Sequence, residues 1–174
     1  MIREFKINRA PVLTLWAAVV AERLGFDHDE ALTLGRAVAG LNAYSKGKAL
    51  GLFAPTPKEV RERREKMRPK EELTVELLHR AVACVHTEDG IRALSGDRTI
   101  NPATVEAYLN SKFGDALNEA RTAMAALARS MNPTQLAARA YALYEEFRPE
   151  VPTGVKGWGA AGILSLEKIR GLAE

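Results

Sequence analysis

The sequence is poor in cysteine and aromatic residues, and it has no apolar run long enough to cross a membrane. Its 174 residues include one cysteine, Cys84, so no disulfide can form within the chain and a reducing cytoplasm is the expected location. No small-residue cleavage site follows the charged start MIREFKINR, which predicts no signal peptide. The apolar stretch Pro11–Leu24 has fourteen residues, fewer than the ~20 that a bilayer requires, so no membrane partner is expected.

Catalytic and metal-binding motifs are also missing. The chain has no H-E-x-x-H, G-x-S-x-G, phosphate-cradling P-loop or C-x-x-C sequence. Cys84 and His86 would share one face of a strand, with Glu88 and Asp89 nearby, but no second Cys or His pair completes a four-ligand zinc site. The pattern indicates a buried thiol beside a surface histidine. We therefore predict no metal and no cofactor, and we favour a non-enzymatic protein over an enzyme whose chemistry no motif assigns.

The composition that remains is typical of a globular protein, with 47% hydrophobic and 27% charged residues. The length suits a single domain over residues 1–174. Pro11–Leu24 has three polar side chains after the proline, and a helix that is apolar on every side must be surrounded by the rest of the chain. The many alanines and the low aromatic content of 6% predict close helix packing. Gly35 on the second helix is predicted to let that helix approach the first closely.

Several segments carry helix-start signals. Asp27 with Glu30, and Thr56 with Glu59, have the spacing of a capping box. Other predicted caps are Asn101-Pro102, Asn132-Pro133 and Ser165. The sequence therefore predicts a mainly α fold, a single-domain bundle of six or seven helices around a buried central helix at residues 11–24.

Two stretches depart from this helical pattern. Residues 2–7 mix apolar and polar side chains in near alternation, which predicts a short edge strand or an extended arm. Asp89-Gly90 is a turn signal, and residues 82–94 are predicted to form a small β-hairpin around it. For residues 74–87 both helix and strand remain open. The competing helical stripe would comprise Leu77, Leu78, Ala81, Val82 and Val85.

Residues 149–162 are rich in proline and glycine and are predicted to form a loop before a short C-terminal helix. Within them, Gly157–Gly162 has the spacing G-x-G-x-x-G of a dinucleotide site. That fingerprint requires a preceding strand, whereas loop residues precede it here. Trp158 in this loop is expected to pack on the body of the protein with its N–H hydrogen-bonded.

The net charge of +3 is unevenly distributed. Residues 41–70 contain nine basic and three acidic side chains, a local balance of +6, so the remainder of the chain carries −3. Within the basic segment, residues 46–70, the predicted nucleic-acid contacts are Lys46, Lys48, Arg61, Arg63, Arg64, Lys66, Arg68 and Lys70. Lysine and arginine at this density can neutralise several phosphates. The alternative is a solvated helix whose Glu and Arg side chains pair four residues apart.

A second nucleic-acid pattern occurs earlier in the chain. Ala21-x-x-x-Gly25-Phe26 resembles the first helix and turn of a helix-turn-helix, with residues 29–41 in the recognition position. The side chains at the start of that second helix include Asp29 and Glu30, which offer phosphates no attraction. Two antiparallel core helices joined by a glycine turn are the simpler interpretation.

These patterns predict a cytoplasmic binding protein without catalytic activity, whose basic segment contacts nucleic acid. The alternative is a helical module for protein–protein interaction or self-association, in which the charged helix is only solvated. No aromatic residues alternate with the basic ones, so the sequence does not favour RNA over DNA.

Overall fold

The computed structural model describes residues 4–49, 72–150 and 161–173, and the side-chain surroundings of all of these except 43–49. Its helices are α1 (Arg9–Arg23), α2 (His28–Ala49), α3 (Pro102–Phe113), α4 (Leu117–Arg129), α5 (Pro133–Phe147) and α6 (Leu166–Leu172). Its strands are β1 (Glu4–Asn8), β2 (Glu72–Leu77), β3 (Arg80–Thr87), β4 (Gly90–Ser95), β5 (Arg98–Thr99) and β6 (Ala161–Ser165).

Helix α1 occupies the centre of the core. Every residue from Pro11 to Ala21 is buried, as the apolar character of this stretch predicts. The indole N–H of Trp16 donates to the carbonyl of Ala140 on α5, at 2.9 Å. The Trp16 ring also meets Phe147 edge to face, with centroids 5.3 Å apart. These contacts fix α5 against the central helix.

Helix α2 begins at the predicted capping box and packs closely on α1. The backbone N–H of Asp27 donates to Glu30 Oε1 at 3.0 Å, and that of Glu30 donates to Asp27 Oδ1 at 2.8 Å. A Cβ atom on Gly35 would overlap the carbonyl oxygen of Thr14 and lie 3.0 Å from the nitrogen of Ala18. Glycine at position 35 therefore lets the two helices approach at backbone distance.

Residues 72–99 form a four-stranded antiparallel sheet in the order β2-β3-β4-β5. Strands β3 and β4 pair with His86 opposite Ile91, so the hairpin predicted near residues 82–94 is present. Strands β2 and β3 pair with Leu77 opposite Arg80, and Leu78 and His79 form the two-residue turn between them. The open choice at residues 74–87 is thus resolved as strand, turn and strand.

Side chains of α2 cover one edge of this sheet. The backbone N–H of Ile91 donates to Glu30 Oε2 at 2.8 Å, and that of Ala93 donates to Thr33 Oγ1 at 3.1 Å. Thr33 is fully buried, and its hydroxyl donates onward to the carbonyl of Glu30. Strand β5 pairs with β4 only at Leu94 and Ser95. The helix therefore satisfies the amides in the part of β4 that β5 leaves uncovered and that would otherwise need another strand.

A second, two-stranded sheet joins the two ends of the described chain. Strand β1 pairs antiparallel with β6, with Phe5 opposite Leu164, so the stretch predicted as strand or arm is a strand. A Cβ on Gly162 would overlap the backbone of Glu150, which forms an isolated bridge with Ile163. The predicted loop at 149–162 is therefore paired at both ends, and residues 151–160 lie outside the described chain.

Helices α3, α5 and α6 begin where their caps predict. The Asn101 side chain accepts from the N–H of Ala103, Asn132 and Gln135 form a capping box, and Ser165 accepts from the N–H of Lys168. A single 3-10 turn, Gly114–Ala116, links α3 to α4. Each of α3, α4 and α5 buries one apolar stripe, which includes Leu109, Met124, Leu127, Leu136 and Tyr144.

The predicted bundle of six or seven helices is wrong, although the described chain is mainly helical. Its described residues form two antiparallel sheets with six strands beside the helices. One sheet pairs segments from opposite ends of the chain, which no local pattern reveals. The helix predicted to start at Thr56 lies outside the described residues.

Candidate functional site

A groove of about 400 Å³ lies between α1, α5 and the turn that joins β2 to β3. It is lined by Val20 of α1 and Leu24 directly after that helix, by Glu76, Leu77, Leu78 and His79 of the hairpin, and by Thr134, Ala137, Ala138 and Ala140 of α5. Its volume falls within the roughly 300–1,000 Å³ of typical small-molecule sites. We therefore treat this groove as the candidate site.

The turn at the edge of the groove has a strained backbone. Leu78 and His79 have φ values of +50° and +61°, and no other non-glycine residue of the described chain has a positive φ. A two-residue hairpin turn favours positive φ at both positions but normally supplies Asn-Gly there. Holding an ordinary L-residue in this conformation costs about 1–2 kcal/mol. Such strain is concentrated at binding and active sites.

Burial of Leu78 holds the turn in this conformation. The Leu78 side chain is only 3% exposed and belongs to the hydrophobic core, whereas His79 is exposed. Burying a leucine side chain contributes about 1.5–3 kcal/mol, which is comparable with the strain at the two turn residues. Neighbouring contacts of β3 add to this anchoring.

One such contact lies directly after the turn. The buried Oδ1 of Asn42 accepts from Arg80 Nη2 at 2.9 Å and from the hydroxyl of Tyr141 at 3.4 Å. Asn42 is 2% exposed and stands on α2, so this group ties the first residue of β3 to both α2 and α5. The β2–β3 turn, which forms one wall of the groove, is therefore held by the buried Leu78 and by the hydrogen bond of Arg80 to Asn42.

The groove presents polar and apolar surface in similar amounts. Glu76 and His79 are exposed on the hairpin, and Thr134 is exposed at the start of α5. The carboxylate of Glu76 can accept hydrogen bonds from a cationic or hydroxyl group, and Thr134 can both donate and accept. Such a mixed surface suits a small molecule with an apolar part and a hydrogen-bonding group.

The predicted nucleic-acid contacts are not brought together in the described part of the chain. Lys46 and Lys48 fall in the last turns of α2, where the side chains are not described. Arg61, Arg63, Arg64, Lys66, Arg68 and Lys70 lie outside the described residues, as does Trp158. Of the G-x-G-x-x-G stretch, the last two residues are described and lie in β6.

The helix-turn-helix interpretation of α2 is wrong. The residues from Ala31 to Gly35 and from Ala37 to Ala39 are buried, and α2 lies against α1, α3 and the four-stranded sheet. A recognition helix must offer its N-terminal side chains to a DNA groove. Here Glu30 is bound to the backbone of β4 instead.

Cys84 and His86 have the surroundings expected of a buried thiol and a surface histidine. Burial raises the pKa of Cys84 to about 11, so the thiol stays protonated at neutral pH. His86 is exposed. Within the described ranges, no three His, Cys, Asp or Glu side chains are grouped so that they could hold a metal ion.

The sequence did not predict the groove because the turn at its edge lacks the asparagine and glycine that usually form two-residue turns. Leu78 falls in the competing helical stripe, and neither Leu78 nor His79 is favoured in a two-residue hairpin. The available signal was the alternation of Leu73, Val75 and Leu77 with polar residues, which indicates a strand that ends at position 77.

No protein-family model, curated protein or solved structure matches the chain. None of the helices in the described residues is both long and apolar enough to span a membrane.

Proposed function

We propose that this protein binds a small amphipathic molecule in the groove between α1, α5 and the β2–β3 turn. The observation that carries the proposal is the strained turn, Leu78-His79, at the edge of a groove of ligand size. The exposed carboxylate of Glu76 favours a ligand that bears an amine or hydroxyl group over one that bears a carboxylate. A cytoplasmic location remains part of the proposal and rests on the single cysteine.

Three six-carbon probes test this proposal: hexylamine, hexanol and hexanoate. Saturation-transfer NMR should detect binding of the first two, with hexanoate weakest because of repulsion by Glu76. Ala138→Trp places an indole in the groove and should abolish the signal. Ala142→Trp is the matched control, since Ala142 is an exposed alanine on the same helix that does not line the groove. The proposal fails if no probe binds, or if both variants bind as the unmodified chain does.

Nucleic-acid binding through the basic segment is a second candidate, favoured by the +6 balance of residues 41–70. If it is correct, replacing Arg61, Arg64 and Arg68 together by glutamine weakens binding to duplexes and single strands about equally. The slope of log K against log salt then falls by about 0.7–0.9 for each phosphate that the variant no longer neutralises. Fluorescence anisotropy across a salt series measures both effects, and no binding by the unmodified chain at low salt would eliminate this candidate.

The self-association alternative has less support. In the described part of the chain, the large hydrophobic side chains that stand exposed are Leu41 and Ile163, at 39% and 40%. Single exposed apolar side chains of this kind are normal on monomeric proteins.

A further inference from the structure

Strand β2 forms an open edge of the four-stranded sheet. It lies at one end of the order β2-β3-β4-β5, and in the described chain β3 is the strand that pairs with it. The other end of the sheet is closed by different means. There β5 has two residues, and side chains of α2 bond the amides of β4 that β5 leaves uncovered. An edge strand without such a cover presents main-chain groups that can pair with another strand.

The turn after β2 fixes which of its main-chain groups point outwards. Leu77 and Arg80 flank the two-residue turn, so they form a hydrogen-bonded pair across β2 and β3. Hydrogen-bonded and non-hydrogen-bonded pairs alternate along an antiparallel ladder. The N–H and C=O groups of Glu72, Thr74 and Glu76 therefore point away from β3. Within the described ranges, those of Thr74 and Glu76 have no hydrogen-bond partner.

The side chains of β2 determine the chemistry of a strand that pairs with this edge. Glu72, Thr74 and Glu76 lie on one face of the sheet, with the two carboxylates four positions apart. Leu73 and Val75 lie on the other face, where they pack on the core but remain partly exposed. An added strand places its side chains beside these two rows. It therefore needs cations opposite the glutamates and apolar side chains opposite Leu73 and Val75.

Two β2 strands from two copies of the chain do not satisfy this requirement. An antiparallel pairing centred on Thr74 sets Glu72 of each copy opposite Glu76 of the other. Like charges directly opposite each other destabilise a sheet. The glutamates therefore guard the edge against its own copy while they leave it open to a basic strand.

We infer that the β2 edge binds an extended segment of a partner protein, which adds to the sheet as a further antiparallel strand. The segment has two basic residues four positions apart, opposite Glu76 and Glu72, with apolar residues opposite Val75 and Leu73. Its central residue exchanges N–H···O=C bonds with Thr74 in both directions. Main-chain bonds supply the affinity, and the glutamates supply the specificity. The inference does not depend on the groove, although Glu76 contributes to both surfaces.

A capped peptide of sequence KVTVK tests the inference when it is titrated into the full chain at low salt. We expect saturable shifts of the backbone amides of Thr74 and Glu76. The affinity should be at least about threefold higher than that of EVTVE, because opposite charges across a strand pair stabilise it and like charges do not. Methylation of the central threonine nitrogen should abolish binding. Methylation of a valine nitrogen should not, since the valine amides point away from β2.

Variants of the chain test the same pairing from the other side. Thr74→Pro removes the outward N–H, and proline is tolerated where a strand N–H faces solvent, so this variant should fold without binding KVTVK. Thr74→Val keeps the N–H and should bind. Glu76→Lys should prefer EVTVE. Glu88→Lys makes the same charge change in the exposed turn after β3 and should still prefer KVTVK.

The inference is overturned if KVTVK leaves the amides of Thr74 and Glu76 unmoved, or if the two methylated peptides bind alike. The peptide arms decide the matter even where Thr74→Pro does not fold. If that variant folds and binds as Thr74→Val does, the inference also fails. Sedimentation of the chain alone should show a monomer. A dimer that Thr74→Pro abolishes would show that a second copy occupies the edge, and would overturn the inference as well.

Discussion

Gly35 sets the distance between α1 and α2. Its missing Cβ allows the backbone of α2 to rest on the carbonyl of Thr14 and on Ala18. Gly40 lies on the same helix with open space where its Cβ would be. Gly35 is therefore required for close packing of the two helices. Gly40 has no such packing role, and it only costs backbone entropy on folding.

Gly35→Ala should lower the free energy of unfolding by about 1–3 kcal/mol, because the added methyl overlaps main-chain atoms that cannot move aside. Gly40→Ala should raise it by about 0.5–1 kcal/mol, the usual gain from replacing glycine in a helix. Urea denaturation of both variants measures the difference. Equal effects of the two substitutions would show that the helices are not in backbone contact at Gly35.

At the scale of elements, the four-stranded sheet depends on α2 at one edge and on a strained turn at its first hairpin. The fully buried hydroxyl oxygen of Thr33 accepts a hydrogen bond from the backbone N–H of Ala93. The turn residues Leu78 and His79 keep their positive φ because Leu78 is anchored in the core. Both features couple the sheet to the helices that also form the groove.

Thr33→Val keeps the shape of the side chain but leaves the buried N–H of Ala93 without an acceptor. The cost should be about 1–3 kcal/mol of unfolding free energy. Thr33→Ser retains the hydroxyl and should be less destabilised. Thermal or urea unfolding of both variants checks this, and a valine variant as stable as the serine variant would refute the proposed covering of the β4 edge.

His79→Gly should stabilise the protein by up to about 1 kcal/mol, because glycine adopts positive φ without a steric penalty. His79→Ala removes the same imidazole but keeps the strain, so it should leave stability nearly unchanged. Urea midpoints separate the two cases. If alanine stabilises as much as glycine, the imidazole and not the backbone is the source of the cost.

At the scale of the whole molecule, the sequence predicts local features well and distant pairings poorly. The caps at Asn101 and Asn132 and the buried α1 were predictable because a few neighbouring residues determine them. The hairpin after Cys84 was predictable from Asp89-Gly90. The β1–β6 pairing was not, since its partners stand at opposite ends of the chain.

The same reasoning explains why the candidate site was not found from the sequence. The groove forms where α1, α5 and the β2–β3 turn meet, and its lining is mostly alanine, leucine and valine, which carry no chemical motif. The turn that marks it breaks the usual turn preference, which is where sequence-level rules are expected to fail at functional sites. The basic segment was the stronger sequence signal, but it lies largely outside the described residues.

The most direct test of the account is a map of amide chemical shifts during a titration of the full chain with hexylamine. We expect the shifts to concentrate on the three walls of the groove, at Val20, Leu24, His79, Thr134 and Ala138. Ala138→Trp should remove them, and Ala142→Trp should not. Shifts confined to residues 46–70, or no saturable shifts at all, would contradict the assignment of the groove as the binding site.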